Sequence, residues 1–288
     1  MKIIVPLPRR DFDPTEAAVS WRILKDAGHE IFFATPDGNV AEADPMMISG
    51  EGLDPWGFIP LLRKLPLIGL MLRAQKPARD AYAQMRNDAQ YSKPLRYLQL
   101  RVEDFDAMLL PGGHAKGMRE YLESSELQNF VAKFFDADKP VAAVCHGVVL
   151  AARSISAKTG KSVLYGRKTT ALNWKLEKSG WMLTKYFARF WDPGYYRTYD
   201  EAPGEVVGYR GVQQEVKRAL ASPADFLDVA ADAPNQFLKT GGMARDTLND
   251  SRPAWVVRDG RYLSARWPGD VHTFARTFVA LLNEVEKT

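Results

Sequence analysis

Apolar and polar positions near the N-terminus follow the pattern of a strand, a helix and a second strand. The apolar run at residues 2–7 predicts a buried strand, and the next segment has helix signals: Asp13 as cap, Pro14 at the first helical position and Gly28 at the end. The run HEIFFATPDG then predicts a second strand that ends in a turn. Strand, helix and strand within about 35 residues form a βαβ unit, which implies a parallel sheet.

The same alternation returns in the second half of the chain. DFDAMLLPGG predicts a strand, residues 117–136 an amphipathic helix, PVAAVC a strand, residues 148–156 a helix and GRKTTAL a further strand. Near the C-terminus, AWVVRDGRYLSARW reads as two β runs around Asp259 and Gly260, which is a hairpin signal, and a helix is predicted over residues 270–286. The pattern indicates an α/β fold with a mostly parallel sheet.

Two stretches, residues 40–100 and 185–247, do not follow this alternation. Both are rich in proline, aromatic and helix-forming residues, and neither is bordered by a Ser/Gly-rich linker. We therefore expect a single domain over residues 1–288, with helical and aromatic insertions near 40–100 and 185–247.

Composition and charge narrow the class of protein. The 288 residues are 46% apolar, which is ample for a packed core, and the single cysteine excludes an internal disulfide and a cysteine-based zinc cluster. The net charge is +4, and basic residues are mostly interleaved with acidic ones, except at residues 61–101, where they far outnumber Asp80 and Asp88. No nucleic-acid-binding motif accompanies this charge, so we expect a lid or a protein-contact surface there and no nucleic-acid partner.

The apolar stretches are too short for membrane insertion. The first apolar run has only about six residues before charges appear, which is short for a signal-peptide core. The longest run, LPLIGLML, lies between Lys64 and Arg73 and is far below the roughly 20 residues of a membrane span. A cytoplasmic protein with no membrane partner is the expectation.

The only cysteine lies in KPVAAVCHGVVLAARS. If the apolar run is a central parallel strand and Gly147 opens a helix, Cys145 occupies the tight turn between them, at the carboxyl end of the sheet, where open α/β folds bind ligands. The helix N-terminus then predicts a thiol pKa of about 3.5 to 7.5 instead of about 8.5. The alternative is a buried structural cysteine.

A second loop, LLPGGHAKGM, also follows a predicted strand. Gly112 and Gly113 leave backbone N–H groups free to approach a reacting oxygen, and with the N–H of His146 they are candidates for an oxyanion hole. His114, which follows them, is a candidate for binding substrate. The alternative is a simple glycine-rich turn.

Together these motifs resemble the ThiJ/PfpI superfamily, the class I glutamine amidotransferase-like group with a Cys-His nucleophile elbow. The resemblance implies a flavodoxin-like, doubly wound, mostly parallel sheet with helices on both faces. It also implies that an acidic residue early in the first helix touches the cysteine sulfur, and Glu16 in DPTEAA has that position. Glu16 also fits a capping box with Asp13, so a purely structural role stays open.

The superfamily usually adds a carboxylate that orients the histidine, and Glu177 in TTALNWKLEKSGW is the best match. A solvent-facing helix charge is the alternative for this residue. Glutamine amidotransferases carry His-x-Glu near the C-terminus, whereas this chain has His272 followed by Phe274 at the glutamate position. That departure argues against glutamine hydrolysis.

A thiol beside an imidazole can attack a carbonyl carbon in an aldehyde, ester or amide. By resemblance, the candidate activities are glutathione-independent glyoxalase chemistry, which converts a 2-oxoaldehyde to a 2-hydroxy acid, and amidase or peptidase chemistry. Cys145, His146, Glu16 and Glu177 are then the catalytic candidates. The competing class is non-enzymatic: a stress-response chaperone, or a thiol redox sensor in which Cys145 is oxidised.

The aromatic and basic block FWDPGYYRTYDE is a candidate lid over the cysteine. Tyr196 would stack on a substrate and Arg197 would bind an anionic group; a surface insertion packed on its own domain is the alternative. KTGGMARDT is a candidate for the same rim because its paired glycines permit close approach. We expect a small-molecule carbonyl or amide substrate, no cofactor and no metal, with a homodimer as the candidate assembly.

Overall fold

A seven-stranded, mostly parallel sheet forms the centre of the molecule. The computed structural model describes residues 1–287, with the sheet in the order β5-β3-β1-β6-β7-β9-β8 and only β8 antiparallel to its neighbour. A separate parallel pair joins β2 and β4. The strands are β1 (Lys2–Pro6), β2 (Arg10–Phe12), β3 (Glu30–Thr35), β4 (Glu42–Ala43), β5 (Leu95–Arg96), β6 (Ala107–Leu110), β7 (Val141–Val144), β8 (Val256–Asp259) and β9 (Tyr262–Ala265).

Helices cover both faces of this sheet. They are α1 (Pro14–Asp26), α2 (Pro45–Ser49), α3 (Ile68–Leu72), α4 (Lys76–Met85), α5 (Arg119–Glu123), α6 (Ser125–Asp136), α7 (His146–Arg153), α8 (Trp174–Tyr186), α9 (Val212–Ala219), α10 (Gln236–Thr240) and α11 (Val271–Glu286). Helix α1 packs against α4 and α11, whereas α7 packs against α5, α6 and α9. Among residues 1–287, none of these helices combines the length and the apolar character that crossing a bilayer requires.

The direction in which the chain crosses the sheet explains why helices cover both faces and where the site lies. From β1 the chain crosses to β3, toward the β5 edge of the sheet. From β6 it crosses to β7, toward the β8 edge. Right-handed crossovers in opposite directions place α1 and α6 on opposite faces. The sheet order therefore switches between β1 and β6, and a crevice opens there at the carboxyl ends of the strands, where such folds bind ligands.

The first predicted unit is confirmed in detail. Asp13 caps α1 by accepting hydrogen bonds from the N–H groups of Thr15 and Glu16, at 2.7 and 3.1 Å. Pro14 is the first helical residue. Gly28 follows the helix with φ +85°, in the left-handed region that favours glycine. The hairpin around Gly260 and the C-terminal helix are also confirmed.

Three predicted elements need correction. The helix over residues 117–136 is a 3-10 turn followed by α5 and α6, because Ser124 is extended and caps α6 by accepting the N–H of Leu127. The helix near 148–156 is α7, which begins at His146. GRKTTAL is not a strand: β8 occupies the edge of β9, and the N–H of Thr170 donates to the Ser264 side chain at 2.9 Å.

The two irregular stretches supply segments that reach the crevice. Residues 40–100 contain β4, α2, α3, α4 and β5, joined by turns, and include a row of exposed leucines at residues 61–70. Residues 185–247 begin in the last turn of α8 and contain α9 and α10, with long irregular connections between them. Both stretches therefore take part in the site described next.

Candidate active site

Cys145 lies on a strained turn between β7 and α7. Its backbone has φ 55° and ψ −121°, in the left-handed half of the map that residues with a Cβ rarely adopt. A Cβ on Gly147 would lie 2.0 Å from the carbonyl oxygen of Leu110, so glycine is required for the turn to sit against β6. The predicted strand-to-helix elbow is present, and the Cys145 side chain is only 4% exposed.

Glu16 extends from the first turn of α1 into the same crevice. Its side chain is fully buried, and Oε2 accepts a hydrogen bond of 2.7 Å from the N–H of Gly112. The N–H of Asp13 donates to the carbonyl of Gly112 instead of to Glu16, so the reciprocal half of the capping box is not formed. The Glu16 carboxyl interacts with the Cys145 side chain, as the resemblance implied.

The protonation of this pair differs from the expectation. Burial raises the pKa of the Cys145 thiol well above its usual range, and the acidic groups of Glu16 and Asp13 raise it further. The N–H of His146 at the helix N-terminus lowers this pKa, but desolvation outweighs it. Burial, followed by the charge of Asp13, also raises the pKa of Glu16. Both shifts run against the predicted low-pKa thiolate, and they favour the neutral forms of the Cys145 thiol and the Glu16 carboxyl.

His146 is oriented as a base toward the sulfur. Its Nδ1 lies 3.4 Å from Sγ of Cys145, and its Nε2 lies 2.9 Å from Oγ1 of Thr198. The hydroxyl of Thr198 donates its only proton to the carbonyl of His114 at 2.7 Å, so it must accept from Nε2–H. Nδ1 is therefore the unprotonated nitrogen, and burial lowers the pKa of His146 to about 3, which keeps the ring neutral.

The predicted oxyanion donors are only partly available. Gly112 is not one of them, because its N–H is already bonded to Glu16. The N–H of Gly113 donates to no acceptor within residues 1–287, and Gly113 lines the same cavity as Cys145. The N–H of His146 interacts with the sulfur. Gly113 and His146 thus remain the candidate donors, and Gly112 instead holds the carboxyl of Glu16 in place.

Glu177 and Arg197 form a structural pair outside the reacting groups. Glu177 Oε2 accepts the N–H of Val212 at 2.9 Å, and its Oε1 lies 3.5 Å from Nε of Arg197. Arg197 is 1% exposed, pairs with Glu201 at 2.6 Å and lies over the rings of Trp174 and Trp181. The predicted orienting role of Glu177 is wrong, because Thr198 holds His146. The predicted anion-binding role of Arg197 is also wrong, because Arg197 does not line the cavity around Cys145 and instead pairs with Glu201 and Glu177.

The Glu177 carboxyl gives a prediction for stability against pH. Burial raises its pKa to about 7, so the folded state holds a proton that the unfolded state releases near the ordinary carboxyl value. The wild-type free energy of unfolding should therefore fall between about pH 4.5 and 7, by up to about 3 kcal/mol at roughly 1.4 kcal/mol per pKa unit. In urea unfolding, Glu177→Gln should show a fall that is smaller than the wild-type fall by this amount, because Glu16 and Asp13 also have raised pKa values and keep their contribution.

The control for this prediction is Glu30→Gln. Glu30 is an exposed residue at the start of β3, so the variant should keep the wild-type slope. Equal slopes for Glu177→Gln and wild type would show that Glu177 is ionised in the folded protein throughout this range.

His114 and Tyr196 lie at the cavity beside the thiol, as predicted for substrate-binding groups. Their rings stack with centroids 4.2 Å apart, and Tyr195 meets His114 edge to face. Nε2 of His114 is buried and has no hydrogen-bond partner within residues 1–287. Burial lowers the pKa of His114 to about 4, so the ring is neutral. Its Nε2 lies 3.8 Å from Oδ2 of Asp44.

Sequence reasoning missed Thr198 and Arg245. Thr198 lies within the aromatic block, and nothing in its spacing to Cys145 signals a contact with His146. Arg245 lies in KTGGMARDT, and this segment does join the rim: Gly241, Gly242, Met243 and Arg245 line the cavity. The paired glycines were the only signal for it.

The comparisons with known proteins agree with this geometry. A glutathione-independent glyoxalase of Schizosaccharomyces pombe is 33% identical over 101 residues, which are 33% of this chain and 40% of that protein. Protein/nucleic acid deglycase 2 of Escherichia coli is 43% identical over 70 residues, 24% of this chain and 35% of its own. The matched segments span less than half the length of these curated relatives.

Solved structures extend the likeness to the whole fold. Glyoxalase III of Candida albicans superimposes with a TM-score of 0.57 at 16% identity, covering 98% of this chain and 97% of its own. The Francisella tularensis rapid encystment protein of 24 kDa has a TM-score of 0.60 at 12% identity, covering 98% and 99%. The family model described as ThiJ/PfpI family-like matches residues 7–203. With the elbow at Cys145 and the carboxyl of Glu16 beside it, the chain belongs to the ThiJ/PfpI family.

Proposed function

We propose that the protein is a glutathione-independent glyoxalase that converts a 2-oxoaldehyde and water to a 2-hydroxy acid. The observation that carries this proposal is the buried carboxyl of Glu16, held by the N–H of Gly112 beside the Cys145 thiol. Amide hydrolysis needs a nucleophile and a base, which Cys145 and His146 supply. Moving a hydrogen between adjacent carbons needs a further proton-transfer group at the substrate, and Glu16 meets that need.

Addition of the thiol begins the reaction. Sγ of Cys145 attacks the aldehyde carbon while its proton passes to Nδ1 of His146, which lies 3.4 Å away. Glu16, whose pKa burial raises, gives its proton to the aldehyde oxygen. The product is a neutral hemithioacetal beside a Glu16 carboxylate and a His146 imidazolium. The N–H groups of Gly113 and His146 are the candidate donors to the oxygen as its charge develops.

Proton transfer between the two carbons, followed by hydrolysis of a thioester, completes the reaction. The Glu16 carboxylate takes the hydrogen from the former aldehyde carbon, while His146 protonates the neighbouring carbonyl oxygen, which gives an enediol. Glu16 then returns a proton to the second carbon, His146 takes the first hydroxyl proton, and a thioester of the 2-hydroxy acid results. His146 passes that proton back to Glu16, and water hydrolyses the thioester to release the acid and the Cys145 thiol. No external oxidant or reductant is needed.

The direct test is lactate formation from methylglyoxal by the purified protein without added thiols. We expect lactate to accumulate at a rate proportional to protein, followed by nuclear magnetic resonance. The control is protein treated with iodoacetamide until mass spectrometry shows one adduct per chain, since Cys145 is the only cysteine in the sequence and is buried. If the untreated and alkylated proteins give the same rate, the proposal is wrong.

A chaperone role is the second candidate, and one observation favours it. Leu61, Leu65 and Leu67 are 87%, 59% and 64% exposed, which leaves apolar surface on the first insertion. Redox sensing has less support, because the Cys145 thiol is buried and its pKa is raised, whereas oxidation-sensitive cysteines are accessible thiolates. Suppression of client aggregation by alkylated protein, at the same level as untreated protein, would support the chaperone role.

A further inference from the structure

The cavity above Cys145 is much larger than a three-carbon substrate needs. Its volume is about 740 Å³, within the roughly 300–1,000 Å³ range of pockets that enclose drug-sized ligands. Cys145 and Glu16 are at its deep end, where they are 4% and 0% exposed. Met71, Phe237 and Met243 also line it and are 74%, 82% and 80% exposed, so they mark its mouth.

The walls between the deep end and the mouth are mostly apolar. They come from three separate parts of the chain: Ile68 and Leu72 in α3, Leu176 and Leu183 in α8, and the segment from α10 to Met243. The first and third of these parts belong to the insertions. An apolar cavity that runs from a buried reactive group to an apolar mouth fits an extended apolar substituent, since removing such a chain from water is favourable.

Three cations that form no ion pair within residues 1–287 line this cavity: Arg73, Lys175 and Arg245. Arg245 is half-buried, its guanidinium lies 5.4 Å from the ring of Trp267, and it forms no ion pair within residues 1–287. The charge of Arg245 acts on Asp13, which lines the same cavity. Burial raises the pKa of Asp13, and the positive charge of Arg245 opposes this rise. Such a cation complements a carboxylate that forms beside the reacting carbon.

We propose that the substrates are amphiphilic 2-oxoaldehydes, in which a long apolar chain is attached to the reacting oxoaldehyde group. This inference rests on the proposed function and names the substrate class of that site. The chain lies along α3 and α8, and the oxoaldehyde group reaches Cys145 and Glu16. Arg245 then faces the carboxylate of the product.

The test compares kcat/KM for methylglyoxal and 2-oxodecanal, at concentrations below micelle formation. Each methylene buried contributes about a fourfold gain, so 2-oxodecanal should exceed methylglyoxal by at least about a hundredfold. Leu183→Asp places a carboxylate in the apolar wall and should lower this ratio by at least about tenfold. Leu183 is 39% exposed, so the helix tolerates the change.

The matched control is Leu98→Asp. Leu98 is 77% exposed and does not line the cavity, so the ratio should stay at the wild-type value. If wild type turns over methylglyoxal as well as 2-oxodecanal or better, the substrate class is wrong while the proposed function stands. A ratio that falls equally in both variants would also contradict it.

Failure of the proposed glyoxalase function would give a different experimental result. If neither aldehyde is converted, the glyoxalase activity is wrong, and calorimetry with the product-like acids tests the cavity separately. 2-Hydroxydecanoate should bind at least about a hundredfold more tightly than lactate, and Leu183→Asp should weaken only the former. Equal affinities for the two acids would overturn the inference about the apolar chain.

Discussion

Cys145→Ser is expected to lower methylglyoxal turnover by at least about a thousandfold, the scale of losing a nucleophile. A serine hydroxyl holds its proton more strongly than a thiol, and the only base at the sulfur is His146, whose pKa burial lowers to about 3. The neutral imidazole would therefore be too weak to activate serine. Lactate formation measured at high protein concentration would quantify the residual rate.

The Cys145→Ser variant should stay folded, which separates chemistry from stability. Serine is close to cysteine in size, and the backbone strain at φ 55° is shared by both residues. Its melting temperature should lie near that of wild type. A folded variant that retains more than about a tenth of wild-type turnover would show that the sulfur is not the nucleophile.

Glu16→Gln is expected to lower kcat by about a hundredfold to ten-thousandfold, the usual range for a general acid–base group. The amide oxygen of glutamine can still accept the N–H of Gly112, so the loop geometry should be kept. The amide cannot shuttle a proton between the two carbons. The loss should therefore appear in kcat more than in KM, in steady-state measurements with methylglyoxal.

Glu177→Gln is the matched control for this effect. Glu177 is also a buried glutamate, 3% exposed, but it accepts the N–H of Val212 and lies 3.5 Å from Arg197 instead of contacting the reacting groups. Glu177→Gln should leave turnover within about threefold of wild type, because Glu177 transfers no proton to or from the substrate. If Glu16→Gln behaves like Glu177→Gln, the Glu16 carboxyl is structural.

The reacting groups and the walls of the cavity come from different parts of the chain. The elbow and the Glu16 carboxyl come from β7 and α1, which belong to the sheet and its covering helices. The cavity walls come largely from α3, α8 and α10, which are joined by long irregular segments. A scaffold of this kind keeps the chemistry on rigid elements and lets the surrounding segments set the shape of the substrate.

The amino-acid sequence was enough to predict the first βαβ unit, the C-terminal hairpin and helix, and the position of the reactive turn. Local signals suffice for these features: Asp13 and Pro14 start α1 through a cap and a fixed φ, and the apolar run before Cys145 makes a buried strand. Glu16 was predicted through the resemblance to the ThiJ/PfpI superfamily, which implies an acidic residue early in the first helix beside the cysteine.

The groups that meet at the site, and the directions of their pKa shifts, depend on the folded molecule. Thr198 reaches His146 from the second insertion, 52 residues away along the chain, and Arg197 is occupied by Glu177 and Glu201. The pKa of Cys145 depends on the competition between a helix N-terminus, which is visible in the sequence, and desolvation, which is not. Burial depends on every segment that covers a side chain, so the direction of that pKa shift could be read only from the folded molecule.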